Sequence, residues 1–188
     1  MMCHSITVRS VAQTDLSAFF AYLDDHLRDN GANETPLFQP VPRAESRLPQ
    51  PLRTNFEQGL ARPLDQGCWR RAWIAVSADG AIAGHVDLRA RAEAGAAHRA
   101  LLGMGVHRDH RQQGLGLRLV SEAIDWARRQ PELAWIDLEV LSLNAPARRL
   151  YLRAGFAITG EVPDLFRLDG AKLAHTYMSR ALSNAGFP

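Results

Sequence analysis

The chain has 188 residues, 46% of them apolar and 22% charged. That length buries a core without disulfides or a structural metal, and the composition excludes a disordered or fibrous protein. The 22 basic and 20 acidic residues leave a net charge of +2, too small for the wide cationic face of a nucleic-acid-binding protein. Two cysteines, Cys3 and Cys68, form neither a disulfide framework nor a metal quartet and fit a reducing cytoplasm. Cys68, beside Trp69 at the start of a strand, reads as buried. No apolar run approaches the ~20 residues of a membrane span, and the N-terminus lacks the unbroken apolar stretch of a secretion signal. The expectation is one cytoplasmic domain over residues 1–188, with neither nucleic acid nor membrane as partner.

Ile6 to Ala12 reads as a first strand. Asp15 then stands where a helix N-cap belongs, and Leu16, Phe19, Phe20, Leu23 and Leu27 follow at helical spacing until Gly31. Pro36, Pro40, Pro42, Pro49 and Pro51 predict a long loop over 31–56, a candidate substrate loop, with a short helix between Asn55 and Ala61 at its far end. Trp69 to Ser77 and Ile82 to Arg89 flank Asp79-Gly80, a hairpin signal. In the second of these strands His85, Asp87 and Arg89 alternate with apolar residues, which predicts an exposed polar face. Ala100 to Val106 is a strand that runs into a glycine-containing turn. The helix after it carries Leu117, Val120, Ile124 and Ala127 on one stripe and ends before Pro131. Trp135 to Leu141 is a strand, and Ala145 to Ala154 a helix capped by Asn144 and stopped by Gly155. Two strands, near Phe156 to Val162 and Leu173 to Ala181, flank the turn signal Asp169-Gly170.

The informative segment is the turn at Arg111-Gln-Gln-Gly-Leu-Gly116, between a buried strand and a helix. Glycines there let backbone N–H groups converge on an anion, and the helix dipole favours it further. Arg108, Arg111 and Arg118 add positive charge. The turn is no P-loop, because Leu115 and Gly116 stand where Lys and Ser or Thr belong. It also fails the dinucleotide fingerprint, since Leu119 occupies the third glycine position.

Arg111 to Gly116 matches the pyrophosphate-binding pattern Gln/Arg-x-x-Gly-x-Gly/Ala, and the strand Leu102-Gly-Met-Gly-Val106 precedes it in register. A second block, Asn-x-x-Ala-x-x-Leu-Tyr-x-x-x-Gly-Phe, fits Asn144 to Phe156. With these two blocks the sequence resembles the GNAT superfamily of acyl-CoA-dependent N-acyltransferases. The resemblance is best over 69–181, whereas 31–66 matches no pattern and reads as a variable substrate-side region. It implies a mixed α/β fold with a central splayed, mostly antiparallel six- to seven-stranded sheet flanked by helices, and acetyl-CoA as co-substrate with no metal. Met104, Gly105 and Val106 would pair with the pantetheine arm, where Gly103 and Gly105 suit a β-bulge. Arg111, Gln112, Gln113, Gly114, Leu115, Gly116 and Leu117 would hold the pyrophosphate. Asn144, Ala147 and Tyr151 would complete the cofactor contacts. Members of the superfamily often dimerise, which leaves a homodimer open.

Aminolysis of a thioester needs a deprotonated amine, a donor to the developing oxyanion, and a proton or hydrogen bond for the departing thiolate. Tyr151 matches the tyrosine that many members use as the acid, and its ordinary pKa of ~10 lies near that of an alkyl thiol. Glu139 is the candidate base. Trp135, Asp137 and Glu139 share one strand face, and carboxylates there must meet water or a partner. The implied reaction is direct acetyl transfer to a primary amine of a small molecule, amino acid or peptide N-terminus; a non-catalytic acyl-CoA sensor of the same fold is the alternative. His107 and His110 read as a solvated turn and not a metal pair. Arg43, Arg47 and Arg53 hint at an acceptor that carries a carboxylate.

Overall fold

The computed structural model describes residues 6–32, 35–93 and 95–182, and Cys3 lies outside them. Seven strands form one sheet in the order β1-β2-β3-β4-β5-β7-β6. They are β1 (Thr7–Ser10), β2 (Arg70–Val76), β3 (Ile82–Ala90), β4 (Arg99–Val106), β5 (Trp135–Leu141), β6 (Ala157–Leu168) and β7 (Ala171–Ala181). Every neighbouring pair is antiparallel except β4 and β5. The helices are α1 (Leu16–Leu27), α2 (Gln50–Gly59), α3 (Leu115–Arg128) and α4 (Ala145–Arg153). This is the mixed, mostly antiparallel sheet that the sequence implied.

The two sheet faces are covered by different helices. On one, Leu119, Val120, Ala123 and Ile124 of α3 pack with Val86, Leu88, Leu102, Ile136 and Leu138. On the other, Phe19, Phe20 and Leu23 of α1 and Phe56 of α2 pack with Ala72 and Ile74 of β2. Alternation along the inner strands supplies both faces, so β2 and β3 are buried on their two sides, whereas the edge strands β1 and β6 have no buried residue.

Several local expectations are corrected. α2 begins at Gln50, five residues earlier than the prolines suggested. Pro51 sits in its first turn, where a missing N–H breaks no intrahelical bond. Asp15 precedes α1 but does not cap it. Its carboxylate turns back, accepting from the Ala12 N–H at 2.8 Å and pairing with Arg9 at 2.6 Å. His85 and Asp87 are buried, because α1 and α2 lie over the strand face predicted to be exposed. Cys68 is exposed, at a positive φ of 64° just ahead of β2. The β3–β4 register is unbroken from Gly84↔Val106 to Ala90↔Ala100, so Gly103 and Gly105 form no bulge against β3. The last hairpin is longer than predicted, its turn closed by Asp169 and Gly170 at φ 49° and 80°. β6 tolerates Pro163 because it is an edge strand, irregular between Val162 and Phe166.

Leu119 is fully buried where α3 crosses the sheet. Truncation to Ala should cost about 2–5 kcal/mol, a loss of methylenes plus a residual cavity. Urea unfolding followed by circular dichroism measures it.

Candidate active site

β4 and β5 pair over Arg99↔Trp135, Ala100↔Ile136 and Leu101↔Asp137, then separate. β4 continues along β3 to Val106, and β5 along β7 to Leu141↔His175. The gap opens into a cavity of about 990 Å³, in the size range of small-molecule sites. Of the residues predicted to bind cofactor, Met104, Gly105, Val106, Arg111, Gln112, Gly114, Gly116, Leu117, Asn144, Ala147 and Tyr151 line it, as does the predicted base Glu139. The side chains of Gln113 and Leu115 do not. Gln113 donates to the Asp109 carbonyl at 3.0 Å, and Leu115 is buried in the core.

The turn into α3 is built from backbone. Gly114 stands at the N-cap with φ 80° and Gln112 just before it at φ 61°. No side chain caps this helix, so the N–H groups of Leu115, Gly116 and Leu117 have neither an intrahelical nor a side-chain partner. An anion fits such a terminus. The arginines of the turn are engaged elsewhere. Arg108 pairs with Asp25 at 2.9 Å and Asp29 at 2.9 Å; Arg111 pairs with Asp29 at 2.6 Å and also donates to the Val106 carbonyl and the Thr35 hydroxyl. Arg118 donates to the Ile6 carbonyl at 2.8 Å. The turn is therefore less cationic than its sequence suggested.

On the far side of the cavity, Asn144 caps α4, its side-chain oxygen accepting from the Ala147 N–H at 3.2 Å. One α4 turn further on, Tyr151 lies in the core beneath α3, its ring edge-on to Phe156 at 5.9 Å. Burial pushes the phenol well above its ordinary pKa, and the Asp87 charge adds to that. The proton is thus held more tightly than the near-match to a thiol assumed from the sequence, which favours hydrogen-bond donation over full transfer.

The β5 carboxylates differ. Glu139 is exposed and borders the cavity. Asp137 is buried in a network with Arg99, Arg91 and Ser179. Burial alone would raise its pKa, but hydrogen bonds from Arg99 and Ser179 outweigh that and hold it below the usual carboxylate range. Asp137 is therefore a strut. His175 also lines the cavity, between Phe166 at 5.2 Å and Tyr177 at 5.4 Å. Arg43, Arg47 and Arg53 do not line it; Arg53 pairs with Asp24. His107 caps a short 3-10 turn that His110 ends, and no group of three or more His, Cys, Asp or Glu among the described residues could hold a metal.

Sequence reasoning missed the cavity wall beneath α1. Tyr22 and His26 stack with ring centres 5.9 Å apart, and His26 stacks on Phe38 at 4.9 Å. The Tyr22 hydroxyl donates to the Gly105 carbonyl at 3.2 Å and lies 3.1 Å from His85 Nδ1. Asp87 accepts from Arg70 at 2.7 Å, and that guanidinium lies over the Phe56 ring at 4.1 Å. The glycines of β4 make this wall. A Cβ at Gly103 would lie 2.6 Å from Asp87 Oδ2, and one at Gly105 would lie 2.8 Å from His85 Cε1. The signal was in the sequence as two polar residues two apart on one strand, facing two glycines two apart on the next.

The chain belongs to the acetyltransferase (GNAT) family, whose model matches residues 38–156. Streptothricin acetyltransferase of Streptomyces lavendulae is 35% identical over 110 residues, 58% of this chain and 57% of that one, so the match spans little more than half of the curated relative. Solved structures agree in fold. A GNAT-family acetyltransferase from Streptococcus pneumoniae has a TM-score of 0.77 at 22% identity, covering 95% of this chain and 100% of its own. The yncA protein of Salmonella typhimurium, solved with its cofactor acetyl-CoA, scores 0.75 at 20% identity and 98% coverage of both chains. Among the described residues no helix is long and apolar enough to cross a membrane.

Burial holds His26 and His85 neutral, each lowered to about 3 from an ordinary 6.5. The unfolded chain binds these protons below pH ~6.5 and the folded chain does not, so their contribution is complete above that pH and lost as pH falls toward 3. Stability should decline below pH 6.5 with a slope approaching ~1.4 kcal/mol per pH unit for each histidine. Urea unfolding between pH 7.5 and 5 checks this, and His26→Phe should make the decline shallower.

Proposed function

We propose that this protein is an acetyl-CoA-dependent N-acetyltransferase that acts on a primary amine by direct attack, within one domain. The observation that carries the reading is that one cavity, opened by the parting of β4 and β5, joins the α3 N-terminus to Tyr151 and Glu139. Residues that would hold acetyl-CoA are suited to it. Uncapped N–H groups of Leu115 to Leu117 fit a pyrophosphate, and the part of β4 from Met104 to Val106, which has no partner strand on its β5 side, offers backbone groups to an amide-bearing arm. Bound there, acetyl-CoA supplies an activated acyl thioester.

The chain's own residues meet the remaining demands. Tyr151, kept protonated by burial, donates to the departing sulfur from the α3 side of the sheet. Glu139 faces the cavity from the other side of β5 and receives the amine proton, directly or through a water. Backbone N–H groups near Met104 to Val106 face the developing oxyanion. The name of the streptothricin acetyltransferase relative supports an acetyl donor. The long segment before β2 forms the acceptor side, since Phe38, Leu48, Leu52 and Phe56 line the same cavity.

Thiol release from acetyl-CoA, screened over primary amines, amino acids, aminoglycosides and peptide N-termini, tests the activity. Tyr151→Phe should lower turnover by about 10²–10⁴, and Glu139→Gln should lower it by a similar factor that high pH partly restores. Wild-type turnover in Tyr151→Phe at every pH would remove the acid role.

A further inference from the structure

The cavity wall between α1, α2 and the β3–β4 pair is built from hydrogen-bond acceptors whose protein-facing atoms are fixed and whose other atoms make no bond with any described residue. His85 and Asp87 stand two apart on β3, side by side on the face that α1 and α2 cover, opposite Gly105 and Gly103 of β4. Both line the cavity. The Gly105 carbonyl can only accept, so the Tyr22 O–H is directed at it. The lone pair of the same hydroxyl then takes the proton of His85 Nδ1. This chain fixes the tautomer and leaves His85 Nε2 as a bare acceptor.

Asp87 is fixed in a comparable way. Its Oδ1 receives Arg70 at 2.7 Å and Arg89 at 3.5 Å, while Oδ2 lies toward the strand position that Gly103 leaves without a side chain. Arg70 cannot turn to another anion, because it is buried between this carboxylate and the Phe56 ring. Apolar Phe38, Leu48 and Leu52 border the same space. A pair of acceptors beside an apolar slot selects a ligand that presents N–H donors on a hydrocarbon arm.

We propose that Asp87 Oδ2 and His85 Nε2 receive the acceptor's amino group, that Tyr22 and Arg70 act as positioning residues for them, and that the acceptor is an aliphatic amine. The proposal rests on the acetyltransferase reading for the fate of that amine. The pair is distinct from Glu139, which stands across the gap on β5. It orients the nitrogen, and it ranks amines above uncharged isosteres.

The test measures binding and turnover separately, with hexylamine and 1-hexanol as probes. Calorimetry on the full chain saturated with CoA should show hexylamine bound at least about tenfold more tightly than hexanol. Asp87→Asn should erase most of that preference. Tyr22→Phe, which removes the tautomer lock, should weaken hexylamine several-fold and leave hexanol unchanged. CoA affinity of each variant serves as the folding control. Should Asp87→Asn lose it, Gly103→Ala, whose new methyl meets Oδ2, carries the test by the same loss of preference. In turnover, each change should raise the KM for hexylamine more than it lowers kcat. Equal binding of the two probes by wild type, no binding of hexylamine, or a preference that survives these substitutions overturns the proposal. A wild-type preference without thiol release from acetyl-CoA leaves the pair standing and overturns the transferase reading instead.

Discussion

β4 and β5 run parallel and stay together for only three residue pairs, and the site follows from their parting. A sheet that loses a ladder midway exposes backbone N–H and C=O groups on two strands, and such groups need partners. Here each strand keeps its outer neighbour, β3 on one side and β7 on the other, so neither end frays. What remains is a slot with a rigid wall on each side. α3 closes it from one face with its uncapped N-terminus, and α1 and α2 approach from the other.

The buried carboxylates around this slot are each tied down by a specific partner. Asp87 has Arg70, Asp137 has Arg99 with Ser179, and Asp29 has Arg108 with Arg111. An unpartnered charge in these places would cost several kcal/mol, and removing one member of such a pair typically costs about 3–5 kcal/mol. The pairs add little to stability over an apolar packing of the same volume. Their contribution is geometric, since each fixes a strand or a helix against the slot. The Asp29 cluster ties the C-terminal end of α1 to the turn before α3, linking an acceptor-side element to the proposed anion site.

Much of this was legible in the chain. The strand from Trp135 to Leu141 was read with its observed limits, and the Asn144 cap and the glycine turn were readable because each depends on neighbours in sequence. Burial of His85 and Asp87 was not, because it depends on α1 and α2 folding over a face whose alternation looked solvated. The same reason hid Tyr22 and His26, which flank the apolar stripe of α1 and acquire meaning only against Gly105. Gly103 and Gly105 were correctly singled out and wrongly explained. They leave room for side chains of the neighbouring strand and the overlying helix, a long-range fact that no local pattern carries. The arginines of the turn misled in the opposite direction, since their partners on α1 lie some eighty positions away in the chain.

That neutralisation changes how a ligand would arrive. An isolated cluster of three arginines projects an attractive field over roughly a Debye length, about 8 Å at physiological ionic strength, and speeds the encounter with anions. With Arg108 and Arg111 matched to Asp25 and Asp29, the far field at this turn is reduced. The remaining attraction comes from Arg118, held by the neutral Ile6 carbonyl, and from oriented backbone dipoles that act only at contact. Steering is therefore weaker than three free arginines would give, so the rate of capture should respond less to added salt, and more of the selection between anions falls to the shape of the turn.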